Sequence, residues 1–446
     1  MKTKWIFISA VTLLVGMLFA LNLVRGLVFE RQQRAQEVRA ATAQSSAGEQ
    51  TLKGPFLVLP LTETVATLTE KKTPAGKISE WVESSSHRNI ILSPEQFSAN
   101  GQLVVEVLKR GIFEAPIYRN DLILTGKFAL PALSSLERAA SSSREKVSSR
   151  WGQAYLALSI SDVRGIEKLH GTLAGVAMTF SPGTADSKFG GGVHAPMTLP
   201  DSAQSVDFKL NLKLVGTTQL LIEPIGKESH IALSGNWPHP SFSGDFSPVE
   251  RSVSAQGFTA RWQTSQLATG GGSASSSHSL GLRLIDPIDR YVLNERILKY
   301  AELFLLVLFG GVFLMSVLKK ISIHPMQYAL VGAALSLFFL LTLSLSEHVS
   351  FGQAYGIAAG ASTLLLGYYV SFVMAAWQRG VGFALVLAVL YGMLFVILKS
   401  EGVSLLMGSL TLFCLLSGVM VLTRKLDWQV LNPSIVRHIE ADEALD

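Results

Sequence analysis

Apolar and polar positions alternate in three distinct ways along this chain. Six stretches contain no Asp, Glu, Lys or Arg and approach or exceed the length needed to cross a hydrocarbon core about 30 Å thick. They are Ile6–Val24, Leu303–Leu318, Tyr328–Ser346, Gln353–Trp377, Val381–Leu398 and Val403–Thr423. The second is short, but Tyr300 and Ala301 extend it if Glu302 sits at an interface.

Between the first and second stretches the period drops to two, as expected of half-buried strands. The clearest cases are QLVVEVLKR (102–110), YLALSIS (155–161), FKLNLKLVG (208–216) running into TTQLLIEPIG, HIALSG (230–235), FTARWQ (258–263) and HSLGLRLI (278–285). Turn signals such as SPG, GTADS, FGGG and TGGGSASSS separate the strands. Helical pattern returns only at the edges, in Leu27–Gln44 and in ERILKYAELF (295–304).

This pattern predicts a membrane protein of mixed α and β structure. Residues 1–26 form an N-terminal transmembrane anchor, and 27–300 a large β-rich, sandwich-like domain with helical stalks at its edges. Residues 301–425 form a bundle of five transmembrane helices, and 426–446 a cytoplasmic tail.

Composition agrees with a bilayer: 48% of residues are hydrophobic and 16% charged, against about 25% charged in soluble domains. Lys2 and Lys4 precede the first apolar run as in a signal peptide. That run is longer than a signal peptide's, however, and no small-x-small cleavage site follows, so an uncleaved anchor is expected. Lys319, Lys320, Arg379, Arg424 and Lys425 fall on the same side as Lys2 and Lys4, whereas the opposite short loops contribute only Lys399. Positive charge is retained in the cytoplasm, so both termini are expected inside. Arg25, Arg31 and Arg34 oppose this orientation, but a long domain translocates largely regardless of its charge.

The net charge of +5 owes much to these flanking residues, and no basic stripe with interleaved aromatics marks a nucleic-acid site. The single cysteine, Cys414, lies in the last apolar stretch and leaves the exported domain without thiol or disulfide.

One segment stands out for chemistry, SGNWPHPSFSGDF (234–246). Pro238 and Pro240 restrict Trp237 and His239 to extended backbone and remove two ladder donors. Trp237, Phe242 and Phe246 suit a plug on one end of a β core; alternatively His239 and Asp245 form a rigid recognition or acid–base pair. In the membrane part, His324 and Pro325 mark a helix start, with Tyr328 suited to the interface. Glu347 and His348 lie at the far end of that span as a candidate polar site, without further ligands at metal-site spacing. The G-x-x-x-G of GIAAG, Gly356 and Gly360, predicts close helix packing inside the bundle rather than an oligomer contact.

No Walker A loop, G-x-S-x-G elbow, H-E-x-x-H or paired C-x-x-C occurs, and the glycines of FGGGVH (189–194) sit among strands. No catalytic residue, cofactor or metal is therefore expected.

The stretch SGNWPHPSFSGDFSP, with GFTARW (257–262), DRYVLNERILKYAELF (289–304) and HPMQYALVGAALSLFFLLTLSLSEHVSF (324–351), resembles the CreD family of bacterial inner-membrane proteins. GPFLVLP (54–60) and SDVRGI (161–166) fit the same family. The resemblance implies an amino-terminal anchor, a periplasmic domain and a carboxy-terminal membrane bundle, with a role in envelope integrity and colicin tolerance and no defined reaction. Its expected partners are the lipid bilayer and an envelope protein or a cell-wall or lipid component. Two readings follow. In one, a non-enzymatic envelope protein binds a partner through its β domain. In the other, a transporter or membrane enzyme acts on a lipid-linked substrate through Glu347, His348 and His239.

Overall fold

The computed structural model describes residues 2–73, 76–199, 204–270, 278–285, 290–319, 324–399 and 404–424. The chain falls into two compact units: Gln36–Pro287 is one, and Met1–Ala35 with Ile288–Asp446 is the other. Residues 27–35 and 290–300 group with the second unit and belong to the helices α1 (Lys2–Ser45) and α4 (Arg290–Lys319).

The first unit is built on two sheets. One contains β1 (Gln50–Thr73), β2 (Gly76–Leu92), β5 (Glu145–Trp151), β6 (Tyr155–Ile160), β9 (Ser181–Pro182), β10 (Gly192–Pro196), β12 (Gln219–Ile222), β14 (Pro240–Gly244) and β17 (Leu280–Leu284). The other contains β3 (Gln96–Arg110), β4 (Phe113–Ala129), β7 (Ile166–Leu173), β8 (Val176–Met178), β11 (Ser205–Thr217), β13 (Glu228–Gly235), β15 (Glu250–Ser254) and β16 (Gly257–Ser265). Two single-turn helices, α2 (Leu133–Leu136) and α3 (Gln266–Thr269), join strands.

β1 organises the first sheet. Its early residues pair with β12 and β6, and its later ones with β2 and β5, so four strands take their register from it. The second sheet runs β15-β16-β13-β3-β4-β11-β7-β8.

Alternation turns one face of the central strands of the second sheet inward: Phe97, Ala99 and Leu103 from β3, Phe208, Leu210 and Leu212 from β11, and Phe258, Ala260 and Trp262 from β16. These join Leu52, Phe56, Leu57, Leu156, Leu158 and Leu282 of the first sheet in one apolar cluster. The core thus lies between the sheets. The Tyr118 hydroxyl, fully buried on β4, crosses it to donate to the Gln219 carbonyl at 2.8 Å.

The second unit contains α1's first turns, α4, α5 (Pro325–Ser346), α6 (Phe351–Val373), α7 (Trp377–Lys399) and α8 (Ser404–Thr423). Among the described residues, α5, α6 and α7 are long and apolar enough to cross a membrane. The expected spans at Ile6–Val24, Leu303–Leu318 and Val403–Thr423 fall on α1, α4 and α8, whose side chains are described only in part. The expected tail, 426–446, lies outside the described residues, as does most of the TGGGSASSS loop. The stretch Gln353–Trp377 is not one helix: the chain turns at 374–376, with Ala375 at φ 50°, and Trp377 opens α7.

Two buried hydroxyls link α6 to α7. Tyr355 donates to the Tyr391 carbonyl at 2.7 Å, and Ser362 shares a 2.9 Å hydrogen bond with the Tyr391 hydroxyl, which ties α6 to α7. The predicted packing of Gly356 and Gly360 is not found. Both are exposed, and among the described residues a Cβ on either would meet nothing within 4 Å. The close approach occurs further along, where a Cβ on Gly380 would stand 2.6 Å from the Gly367 carbonyl oxygen and one on Gly367 would stand 2.8 Å from the Ala384 Cβ. The GIAAG pattern supplied the spacing, but α6 turns that stripe outward.

Two substitutions test this packing. Gly380→Leu should lower the thermal midpoint of the purified protein by several degrees, and Gly356→Leu should leave it within a degree or so, because only the first drives a side chain into backbone. Tyr118→Phe should cost about 1–1.5 kcal/mol in denaturant unfolding, since it removes the donor to a buried carbonyl between the sheets.

Candidate functional site

Backbone restriction shapes the Trp237–Phe246 segment. Pro240 begins β14, an edge strand that pairs only with β17, where its missing N–H costs no internal ladder bond. The half-buried Trp237 packs on the core cluster, and its Nε1–H reaches the His239 and Ile285 carbonyls, each at 3.1 Å. Phe242 sets its ring edge-on to Trp262 at 5.8 Å and to Phe258 at 6.2 Å, and the Phe246 carbonyl accepts from Trp262 Nε1 at 3.1 Å.

His239 and Asp245 are not brought together. The five residues of β14 lie between them, so that about 20 Å of extended chain separates the two. His239 is exposed and makes no side-chain hydrogen bond among the described residues. Asp245 instead accepts from the Ser279 backbone N–H at 2.8 Å and stands 3.7 Å from His278 Nδ1.

This contact belongs to a larger arrangement. Leu52, Ile222, Leu280 and Gly244 are aligned across β1, β12, β17 and β14. One step beyond them stand Lys53, Glu223, Ser279 and Asp245, with His278 adjacent. Lys53 Nζ lies 2.9 Å from Glu223 Oε2. Burial pushes the Glu223 carboxyl above its ordinary pKa, and the Lys53 hydrogen bond only partly offsets this. A charged row therefore crosses one end of the sheet. Sequence reading missed it because His278 sits in a serine-rich run and Lys53 in an apolar one.

A second polar centre forms around SDVRGI. Asp162 Oδ2 accepts from the Gly48 N–H at 2.9 Å and pairs with Arg164 at 2.6 Å, while Arg164 Nη1 donates to the Gln44 carbonyl at 2.6 Å. Gln44 lies in the last turn of α1, so the guanidinium satisfies a carbonyl that the helix leaves free and lies where its charge favours the helix dipole. The fully buried Gln50 donates to the Asp162 and Val215 carbonyls at 3.0 Å each. Gly165 is required here, since a Cβ would lie 2.2 Å from the Val215 carbonyl oxygen. The Arg164 hydrogen bonds are the main cause of an Asp162 pKa held down to about 2.

At the end of α5, Glu347 and His348 part company. The Glu347 side chain is 11% exposed, with Oε1 3.5 Å from Arg31 Nε, whereas His348 is exposed. Arg290 Nη1 donates to the Ser346 and Glu347 carbonyls at 3.1 Å, and the buried Asn294 reaches Ser346 Oγ at 3.1 Å. His324 stands at the other end as the N-cap of α5, accepting from the Met326 N–H at 3.2 Å, with Pro325 in the first turn. Among the described residues, no group of three or more His, Cys, Asp or Glu side chains is placed to hold a metal ion.

Comparison with known proteins adds to this geometry. A family model, Inner membrane protein CreD, matches residues 1–429. The chain is 33% identical over 438 residues to the inner membrane protein CreD of Escherichia coli (strain K12), covering 95% of this chain and 93% of that one. Among solved structures, an M1 zinc metallopeptidase from Deinococcus radiodurans aligns with 43% of this chain and 42% of its own at 11% identity and a TM-score of 0.23; a substrate-bound variant of it gives 0.24. Those scores are too low to indicate a common fold.

The Asp162 centre predicts a pH dependence. A carboxylate whose pKa falls on folding stabilises the protein above its unfolded pKa, and that contribution is lost as pH drops toward the folded value. Asp162→Asn should therefore cost about 1–2 kcal/mol near neutrality, allowing for the half-exposed Arg164. In unfolding midpoints taken across acidic pH, the gap to the parent should close between about pH 4 and pH 2. In the β14 segment, Trp237→Ala should cost about 2–3 kcal/mol and His239→Ala less than about 0.5 kcal/mol, measured by denaturant unfolding.

Proposed function

Because this chain belongs to the CreD family of inner membrane proteins, we propose that it supports cell-envelope integrity and tolerance of stress and colicins as a non-enzymatic protein. Its β unit is periplasmic and binds an envelope partner. α1 is the signal anchor, α4–α8 are five spans, and both termini are cytoplasmic. Charge supports this orientation, and the three arginines that oppose it have carboxylate partners: Arg25 with Glu302 at 2.9 Å, Arg31 with Glu347 at 3.5 Å and Arg34 with Glu30 at 3.2 Å.

The observation that carries this reading is α1 itself. One 44-residue helix contributes residues to both units, its last turn accepts a hydrogen bond from Arg164, and the Gly48 N–H just beyond it donates to Asp162. A partner bound beside this network would act directly on the C-terminal end of α1. The polar groups at the end of α5 have structural work to do: Glu347 offsets Arg31, and Arg290 caps the helix.

The test is survival of cells that carry variants at matched abundance, under colicin or detergent challenge. Arg164→Ala should sensitise the cells, whereas Glu347→Gln and His348→Ala should survive as the parent does. The reverse pattern would transfer the function to the membrane polar site and favour transport or membrane enzymology.

A further inference from the structure

Among the described residues, no strand pairs with part of the outer edge of β16. The Gln266 N–H bonds to the Lys227 carbonyl, which sets the even-numbered residues of β16 against β13 and turns the main-chain groups of Arg261, Gln263 and Ser265 the other way. β15 covers that edge only as far as Arg261, whose carbonyl accepts from the Val249 N–H at 2.8 Å. Among the described residues, no hydrogen bond reaches the outward N–H and carbonyl of Gln263 or the N–H of Ser265.

A cleft of about 330 Å³ opens along this edge, lined by Glu228, Phe246, Gln263, Thr264, Ser265 and Ala268. The Thr264 hydroxyl in its wall is buried with no hydrogen-bond partner among the described residues. Phe246 supplies an aromatic side, and Glu228, exposed beside Ser265 in the β13–β16 register, supplies the only charge in the lining.

We propose that this edge is a strand-addition site for an extended protein segment bearing a basic side chain. A guest strand continuing the line of β15 exchanges main-chain hydrogen bonds with Gln263 and Ser265. Alternate guest side chains enter the cleft, an apolar one against Phe246 and Ala268 and a basic one beside Glu228. The SGDF end of the proline-rich motif thus frames a docking edge through Phe246, rather than through His239. This inference rests on the reading of the β unit as the partner-binding part of the protein, and it names the site and the class of partner.

The test uses the full-length protein in lipid nanodiscs and fluorescein-labelled peptides of about nine residues, with valine and threonine alternating around a central lysine, read by anisotropy. The lysine peptide should bind, and replacing its central lysine by glutamate or any of its inner residues by proline should weaken it about tenfold or more. Glu228→Gln should weaken it about threefold, as expected of an exposed ion pair. Gln263→Pro should abolish binding while the thermal midpoint stays near the parent's, because that N–H takes no part in the β13 ladder. Absence of binding by the lysine peptide, binding indifferent to proline, or occupation of the cleft by N-acetylglucosamine oligomers instead would overturn the proposal. Failure here with Arg164→Ala still sensitising cells would sink the docking edge alone and leave the envelope reading standing.

Discussion

Arg164 determines how α1 can end. Its guanidinium is shared between the Asp162 carboxylate, on a loop of the β unit, and the Gln44 carbonyl, in the final turn of the helix. A helix terminus leaves carbonyls that need partners. Here the partner is a residue more than a hundred positions away, itself anchored because Asp162 also takes the Gly48 N–H. Gln50 then passes the constraint into the interior by bonding the Val215 carbonyl of β11. Helix end, loop and both sheets therefore share one hydrogen-bond network, and its only ionised members are an acid and a base in direct contact.

The β unit surrounds this joint with a core that relies on alternation alone. No cysteine staples it. Each sheet contributes one face, and specific contacts tie the two together beside the apolar cluster: the Gln50 amide on Val215, the Tyr118 hydroxyl on Gln219, and the edge-on packing of Phe242 against Trp262 and Phe258. At the end of the first sheet the apolar layer gives way within a single residue to the Lys53, Glu223 and Asp245 row. The half-buried members of that row are paired, as low-dielectric burial demands.

Much of this was legible where burial is one-sided. FKLNLKLVG, FTARWQ and HIALSG read as strands because a single face meets the core, and the structure forms them as β11, β16 and β13. β2 was not legible. Its ESSSHRN stretch is exposed on both faces, so no period survives in its hydropathy, and it is a strand because β1 pairs with it along its whole length. The candidate polar sites were readable only as residue types. Neither the contact of Asp245 with His278 nor that of Glu347 with Arg31 leaves a signal in spacing, since each joins elements far apart in the chain. Gly356 and Gly360 fail for a related reason: a small-residue stripe fixes which face is smooth, not which way that face turns.

The pairing pattern of β1 also sets an order of events. β2 follows it directly, but β5 and β6 come some eighty to a hundred residues later, and β12 later still. The parallel pairing of β3 with β13 closes an equally long loop. Loops of that size form slowly, and a sheet built on them cannot close until its last strand has been synthesised. Until β5 and β6 emerge, the apolar face of β1 has only β2 beside it, so the nascent chain passes through an interval in which its most connected strand is also its most exposed to misassociation.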